Sequence, residues 1–347
     1  MSQRESITVE KVSCILCGST RSTEFIRQRD VNLNLSETEF AVVRCRDCTL
    51  LYLNPRPTLT EIRNYYPPEY YPLQEPRQPR AIDRFFKRIS HAWKVGIMVE
   101  FYGYPPPPGL ATTRLISALR RVLLWPEYWH LKVAGRDIIP FRGNGRILDV
   151  GCGPGKVMRV LRDRGWDVYG VDFNAAAIAY ARVRLSLNVT CGDLQQAHYK
   201  EAFFDVVMFN HSLEHLHNPL ETLRETCRIL KPGGLLLVTL PNARSFEAWL
   251  FGRWWVHWDV PRHLYHFTPE TMSRLVEKAG FRVTKIRGGV GTSFFLGSLD
   301  YLCKHVLKTR LRYGGFTRHV VVSPLCLLMG HLGYGGEMKV MAEKGTS

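Results

Sequence analysis

The stretch from Ile147 to Gly155, which reads ILDVGCGPG, constrains the fold more than any other part of the chain. It predicts an apolar strand that runs into a glycine-rich turn and then a helix, because glycine lets the backbone bend sharply and approach a ligand closely. The glycines are spaced Gly-x-Gly-x-Gly, and Asp149 stands where a negative charge would repel a pyrophosphate. The motif therefore favours a cationic, phosphate-free ligand.

Short apolar strands and helices alternate from Arg146 onward, a pattern typical of parallel βαβ units. Helices are predicted at 157–164 and 220–230, the second ending at the stop signal Lys231-Pro232-Gly233-Gly234. The seven predicted strands cover 146–150, 168–172, 189–191, 204–209, 235–240, 281–286 and 337–343. We therefore expect an α/β fold with a seven-stranded, doubly wound, Rossmann-like sheet.

Acidic residues follow the next two predicted strands. Asp172 ends the second strand, where an acid hydrogen-bonds ribose hydroxyls. Asp193 follows the third strand and is placed to accept a hydrogen bond from an adenine amino group. Both positions favour a nucleoside-containing cofactor.

Two Cys-x-x-Cys pairs near the start of the chain predict a structural zinc site. The pairs are separated by 27 residues, and each makes a tight turn whose sulfurs face the same way. With four protein ligands, no position remains for water. The alternative is four reduced cysteines without a metal. The predicted ligands are Cys14, Cys17, Cys45 and Cys48.

The chain divides into three predicted regions. Residues 1–60 form a zinc-ribbon module with the cysteine pairs on hairpin turns, and residues 61–145 form an aromatic, basic and partly helical lid or connector. Residues 146–347 form the cofactor-binding domain, with inserted helices at about 245–265 and 290–335. Half of the formal charge of +16 falls in the connector. The stretch from Tyr71 to Arg146 contains 13 Lys/Arg and five Asp/Glu, a surplus of eight positive charges.

About the last two hundred residues resemble class I S-adenosylmethionine-dependent methyltransferases, because matching motifs stand at four successive strand ends. Four further elements resemble those of the zinc-module methyltransferases of bacterial polysaccharide and natural-product clusters. They are the cysteine pairs, Asn54-Pro55-Arg56-Pro57, the pairs Tyr65-Tyr66 and Tyr70-Tyr71, and Asp259-Val260-Pro261-Arg262-His263-Leu264. The resemblance implies S-adenosylmethionine and a structural Zn²⁺ as cofactors. A nicotinamide-type domain or a degenerate, non-binding fold is the alternative.

The resemblance also implies a role for each matching residue. The three glycines cradle the methionyl part of the cofactor, with Asp149 near its ammonium group and Asn210 beside the sulfonium. Asp172 binds ribose, and Asp193 and Leu194 frame the adenine. The implied cofactor residues are Asp149, Gly151, Gly153, Gly155, Asp172, Asp193, Leu194 and Asn210.

The residues after the fourth predicted strand are placed to meet the acceptor, because ligands bind beyond the carboxyl ends of such strands. His211 and His215 titrate near neutral pH and are candidate bases, with Glu214 as a supporting residue. His263, in a second group with His257 and His266, is a further candidate that follows strand five. The alternative is that these residues only secure a helix start or pack among aromatic side chains.

The acceptor is predicted to be a small molecule that takes the methyl group on oxygen or carbon: a saccharide, glycolipid precursor or secondary metabolite. The basic connector and a basic amphipathic helix at 293–312 favour a phosphorylated or lipid-linked acceptor and peripheral contact with an anionic membrane. The apolar stripe of that helix packs onto the sheet in the alternative interpretation.

Two other functions stay open: an RNA methyltransferase, since a zinc ribbon and high pI also suit that class, and a non-catalytic cofactor-binding or zinc-dependent interaction protein. The first residues carry no apolar signal segment, and no membrane-spanning stretch is predicted. We therefore expect a cytoplasmic protein, peripheral to the inner membrane surface if it contacts lipid.

Overall fold

The computed structural model describes residues 7–67, 70, 93–110, 113–133, 138–309, 314 and 317–345. The first part of the chain forms five short strands. Their bounds are β1 (Val9–Glu10), β2 (Ser22–Gln28), β3 (Phe40–Cys45), β4 (Leu51–Leu53) and β5 (Arg56–Pro57). Tyr71, which belongs to one of the predicted Tyr-Tyr pairs, lies outside the described residues.

The remaining strands follow the glycine-rich stretch. They are β6 (Arg146–Val150), β7 (Asp167–Asp172), β8 (Asn188–Cys191), β9 (Phe204–Asn210), β10 (Leu230–Pro241), β11 (Tyr265–His266), β12 (Phe281–Gly289) and β13 (Glu337–Lys344). All but β11 form one seven-stranded sheet in the order β12-β13-β10-β9-β6-β7-β8. The predicted α/β fold and its seven strands are confirmed.

The sheet is mixed, whereas the sequence pattern indicated only parallel units. Strands β10, β9, β6, β7 and β8 are parallel neighbours. Strand β13 is antiparallel to both β10 and β12, because it enters between them from the opposite end. This insertion brings Glu337, at the start of β13, opposite Pro241 at the end of β10.

Helices cover the sheet. The first, α1, has described helical residues 93–102. The others are α2 (Arg114–Val133), α3 (Lys156–Arg162), α4 (Ala175–Leu185), α5 (Pro219–Ile229), α6 (Phe246–Phe251), α7 (Pro269–Lys278), α8 (Thr292–Leu302) and α9 (Ser323–His331). The two predicted helices correspond to α3 and α5. Local capping sets several starts: the Thr268 side chain caps α7 in a capping box, and Ser245 caps α6.

The N-terminal strands β1 and β5 form a two-stranded sheet, whereas β2, β3 and β4 share their sheet with a later segment of the chain. Strand β11, which follows β10 in the chain, pairs antiparallel with β4 and completes a four-stranded sheet in the order β11-β4-β3-β2. Buried side chains of both regions share one apolar core. The predicted domain boundary at residue 60 stays a prediction.

The two cysteine turns differ. Cys45 and Cys48 lie on the turn of the β3-β4 hairpin, as predicted. Cys14 and Cys17 lie between β1 and β2, which belong to different sheets, because β1 pairs with β5 and β2 pairs with β3. The prediction of a hairpin at the first pair is therefore wrong, although a turn is present there.

The predicted helix at 293–312 divides in the structure. Phe295, on α8, is buried and its ring lies 5.1 Å from that of Phe251 on α6. Val306, in the following π-helical turn, is about half exposed. The first half of the stripe therefore packs against the protein. Arg310 and Arg312 lie outside the described residues.

Helix α2 exposes many large apolar side chains, among them Leu115, Leu119, Val122, Trp125 and Trp129. Among the described residues, no helix combines the length and hydropathy needed to cross a bilayer. Peripheral contact with an anionic membrane stays a prediction.

Candidate active site

The glycine-rich turn after β6 takes a conformation that only glycine adopts without strain. Gly151, Gly153 and Gly155 have φ angles of 80°, 51° and 77°. A Cβ at Gly151 would lie 2.3 Å from Cβ of Ser212, so the turn after β9 packs directly against the glycine. The Ser212 hydroxyl donates to the Val150 carbonyl at 2.5 Å. The turns after β6 and β9 are therefore held together.

Asp172, at the end of β7, is buried beside this turn. One of its oxygens accepts a hydrogen bond from the Gly153 amide and the other from the Asn174 amide, each at 2.8 Å. The carboxylate therefore also shapes the glycine turn and the start of α4.

Asp149, one residue before the end of β6, is 4% exposed. Its Oδ1 atom accepts no hydrogen bond from any residue that the structure describes. Burial and, secondarily, the charge of Asp172 raise the pKa of this carboxyl to about 7. Two adjacent buried acids with an unpartnered oxygen create a site that favours a cation.

The other predicted cofactor residues lie at the same edge, where the carboxyl ends of β6, β7, β8 and β9 meet. Asn210 ends β9 and is exposed. Asp193 is exposed and accepts from the Gln196 amide at 2.8 Å, while Leu194 is buried. The fold brings all eight positions to one edge, and their individual roles stay predictions.

A second polar group follows β9. Glu214 is fully buried, and its two oxygens accept no hydrogen bond from a described residue. Nδ1 of His211 lies 3.6 Å from Oε1 of Glu214, and Nε2 lies 3.1 Å from Oε1 of Glu337. Burial alone would lower the pKa of His211. The carboxylates of Glu214 and Glu337 have the larger effect and raise this pKa to about 10.

Glu214, His215 and His263 come together although they lie far apart in sequence. One ligand atom from each lies within 4.8 Å of the others. Burial alone would raise the pKa of Glu214. The nearby His211, His215 and His263 have the larger effect and lower this pKa to about 2. Burial and the neighbouring His263 lower the pKa of His215 to about 4, so its imidazole is neutral at neutral pH.

A buried ion network holds this group in place. The fully buried guanidinium of Arg262 donates to both oxygens of Asp30, at 2.6 and 3.0 Å, and to Asp259 at 2.6 Å. Asp259 also accepts from the Asn32 amide at 2.9 Å. The network therefore joins the N-terminal region to the segment that carries His263.

Tyr66 connects the two halves of the site. Its hydroxyl lies 2.9 Å from Nδ1 of His215, and its ring lies 5.2 Å from that of Phe173, next to Asp172. Tyr65, in contrast, is buried against Phe40 in the N-terminal core. The members of the first Tyr-Tyr pair therefore have different surroundings.

Sequence reasoning missed several residues of the site, namely Asp30, Ser212 and Glu337. Glu337 reaches His211 only because β13 is inserted antiparallel beside β10, a topology that local patterns do not encode. Asp30 follows a strand of the N-terminal region, where no spacing signal points to a buried arginine.

A cleft among the described residues lies elsewhere. It has a volume of about 830 Å³ and is lined by α1, α2, Pro105 to Pro107 and the end of α3. The end of α3 precedes the start of β7, so the cleft is at the edge of the sheet opposite the acids. It does not contain the predicted site residues.

The four cysteine sulfurs lie within 4.8 Å of one another. The Sγ atoms of Cys14 and Cys48 are 3.3 Å apart, and those of Cys17 and Cys45 are 3.5 Å apart. Sulfurs at tetrahedral corners, each about 2.3 Å from zinc, are about 3.8 Å apart, so the arrangement has the size of a zinc site.

The comparisons with known proteins match this region to methyltransferases. Residues 127–286 match a family model described as a methyltransferase domain. A probable S-adenosylmethionine-dependent methyltransferase from Mycolicibacterium smegmatis is 30% identical over 161 residues, which are 45% of this chain and 56% of the relative. A ubiquinone biosynthesis O-methyltransferase from Azoarcus sp. is 32% identical over 156 residues, covering 41% and 66%.

The chain therefore spans between half and two thirds of the length of these relatives. Among solved structures, one described as a SAM-dependent methyltransferase from Archaeoglobus fulgidus is 21% identical, with a TM-score of 0.40. The match covers 67% of this chain and 95% of that chain.

Proposed function

We propose, from the premise that residues 127–286 are a class I S-adenosylmethionine-dependent methyltransferase domain, that this chain methylates an oxygen or carbon of a small-molecule acceptor. When bound, S-adenosylmethionine supplies an electrophilic methyl group. The observation that carries the proposal is the buried Asp149 with its unpartnered oxygen beside the glycine turn.

The chemistry of this edge fits a cationic cofactor. A buried carboxyl whose pKa is raised to about 7 is stabilised by a nearby ammonium group. The same acids would repel a pyrophosphate, which disfavours a nicotinamide dinucleotide. Asp149 and the three glycines would hold the methionyl part, Asp172 the ribose, and Asp193 with Leu194 the adenine.

The acceptor would approach the group formed by His211, Glu214, His215 and His263. Asn210 ends β9 directly before this group, so the donor and acceptor would meet there. Tyr66, which contacts both His215 and Phe173, would exclude water from between them. The pKa of His215, lowered to about 4, makes its imidazole a weak base at neutral pH.

An oxygen acceptor is supported by the relatives whose printed names describe O-methyltransferases. Within that class, we propose a saccharide, glycolipid precursor or secondary metabolite. A polar, buried group of carboxylates and imidazoles suits an acceptor that presents hydroxyl groups.

Isothermal titration calorimetry with S-adenosylmethionine tests the cofactor site. Asp172→Ala should weaken binding by at least about 100-fold, because hydrogen bonds to a charged group contribute about 1.5–3 kcal/mol each. Asp167→Ala, at the exposed start of the same strand, is the matched control and should bind as the unaltered chain does. Absence of binding by the unaltered chain would overturn the proposal.

Incubation with radiolabelled S-adenosylmethionine then tests the acceptor. We expect label in hydroxylated small molecules, such as nucleotide-linked sugars or glycolipid precursors, and none in total RNA. Labelled RNA, together with binding that weakens steeply with salt, would instead favour an RNA substrate.

We also propose that Cys14, Cys17, Cys45 and Cys48 hold a structural Zn²⁺. The sulfur distances support this ligand set, and the module around it is small. Elemental analysis should find zinc that is lost in Cys45→Ser but retained in Cys191→Ser, an exposed cysteine outside the cluster. Equal zinc content in the two variants would contradict the assignment.

A further inference from the structure

Glu214 is a buried carboxylate whose ion-pair partner, Nδ1 of His211, lies 3.6 Å from its Oε1, beyond hydrogen-bond distance. It is 0% exposed, and neither oxygen accepts a hydrogen bond from the described residues. A buried ionised carboxylate is costly unless it is paired, hydrogen-bonded or bound to a metal. The long ion pair with His211 therefore leaves both oxygens of Glu214 available to a further cation.

The two imidazoles beside Glu214 are oriented by backbone carbonyls. Nδ1 of His263 lies 2.8 Å from the carbonyl of His257, and Nδ1 of His215 lies 3.1 Å from the carbonyl of Arg262. A proton on Nδ1 that is donated to a carbonyl leaves the lone pair on Nε2. Histidines that bind metals are held in this way.

The three side chains also have the spacing of a ligand set. One ligand atom from each of Glu214, His215 and His263 lies within 4.8 Å of the others. Two histidines and one carboxylate are a common set for divalent ions with open positions, such as catalytic Zn²⁺ or Fe²⁺. The convergence is produced by the fold, since His263 is 48 residues after His215.

We propose that Glu214, His215 and His263 bind a divalent transition-metal ion whose open positions take a hydroxyl oxygen of the acceptor. The ion binding stands on its own, whereas its role toward the acceptor rests on the proposed methyltransferase function. A hydroxyl bound to the ion would have a lowered pKa and would lose its proton to water; its oxygen would then form the C–O bond to the methyl group as the S–C bond breaks and the neutral thioether leaves. No side chain then has to act as a strong base, and Glu214 and the two imidazoles position the acceptor oxygen through the ion.

Titration of the full-length protein with Co²⁺ tests the site after the cysteine cluster has been loaded with Zn²⁺. Zinc at the thiolates resists replacement because cobalt binds such sites more weakly. We expect visible d–d absorption bands without the near-ultraviolet bands of thiolate-bound cobalt, at a stoichiometry of one ion. Absence of these bands, or bands from thiolate ligation alone, would overturn the proposal.

Substitution of single ligands assigns the ion to these residues. Glu214→Gln and His263→Gln should each weaken Co²⁺ binding by at least about tenfold. His217→Gln is the matched control, because its Nε2 lies 3.1 Å from the Pro57 carbonyl, outside the ligand set. Unchanged Co²⁺ affinity in folded Glu214→Gln or His263→Gln, checked by circular dichroism, would contradict the site.

The Co²⁺ titration needs neither S-adenosylmethionine nor an acceptor, so the two proposals fail separately. Loss of Co²⁺ binding with intact S-adenosylmethionine binding would remove the ion site and leave the methyltransferase function. Co²⁺ binding by a chain that does not bind S-adenosylmethionine would remove only the acceptor role of the ion.

Discussion

Two neighbouring strands, β6 and β9, lead to two buried carboxylates with opposite properties. Asp149 lies on β6 and Glu214 follows β9, and both are buried with oxygens that no described residue bonds. The pKa of Asp149 is raised to about 7 by burial and by Asp172. That of Glu214 is lowered to about 2, because nearby histidines outweigh its burial.

In the proposed function, this difference separates two tasks along one edge of the sheet. The proposed cofactor end, at Asp149 and Asp172, places two acids together, so that the bound ligand would supply the cation. The proposed acceptor end, around Glu214, supplies positive or polarisable groups itself, through Arg262 and the histidines. The same depth of burial therefore yields a ligand-dependent site at one end and a preformed site at the other.

Removal of the buried Arg262 guanidinium should have the largest effect on stability at the proposed acceptor end. Arg262→Met should lower the free energy of unfolding by about 3–5 kcal/mol, because Asp30 and Asp259 would remain buried without their partner. Urea denaturation measures this difference. Arg253→Met, on the exposed turn after α6, is the control and should change stability by less than about 0.5 kcal/mol. A similar small change in both variants would show that the network is not required.

Neutralising the two carboxylates should have opposite signs. Glu214→Gln should destabilise the chain by about 1–3 kcal/mol, because His211 loses one of its two acidic neighbours and a buried amide replaces a paired charge. Glu221→Gln, an exposed member of an ion pair on α5, is the control and should be nearly neutral. An increase in stability for Glu214→Gln would remove the contrast with Asp149.

Asp149→Asn should instead stabilise the cofactor-free protein at pH 8, by about 1 kcal/mol. A carboxyl with a folded pKa near 7 and an unfolded value near 3.8 loses stability as pH rises between these values, because only the folded state keeps its proton there. The buried amide that replaces it offsets part of the gain. The gain should shrink as pH falls toward 4, and thermal melts at several pH values check this sign. A gain that grew at low pH would contradict it.

The contrast also marks what the sequence could predict. The glycine turn, the strand-end acids and the sheet follow from local patterns, since parallel strands bring their carboxyl ends to one edge. Glu214 and His215 were recognisable as candidates by their position after β9. His263 was also a candidate, but its contact with Glu214 and that of Glu337 with His211 were not recognisable, because they depend on β11 and on the antiparallel β13. Long-range topology, and not spacing, sets the charge around each acid.

The last prediction concerns affinity and not stability, namely the pH dependence of cofactor binding at Asp149. If the ammonium group of S-adenosylmethionine binds the ionised carboxylate, affinity should rise as pH increases toward about 7 and then level off. Below the pKa each pH unit changes the ionised fraction about tenfold, so the Kd should tighten by about tenfold between pH 6 and pH 8. Calorimetry at both pH values measures the change. Asp149→Asn should bind more weakly and show a flat profile, because no proton has to leave the amide. An equal slope in both proteins would place the titrating group elsewhere and leave the cation preference of this end to Asp172.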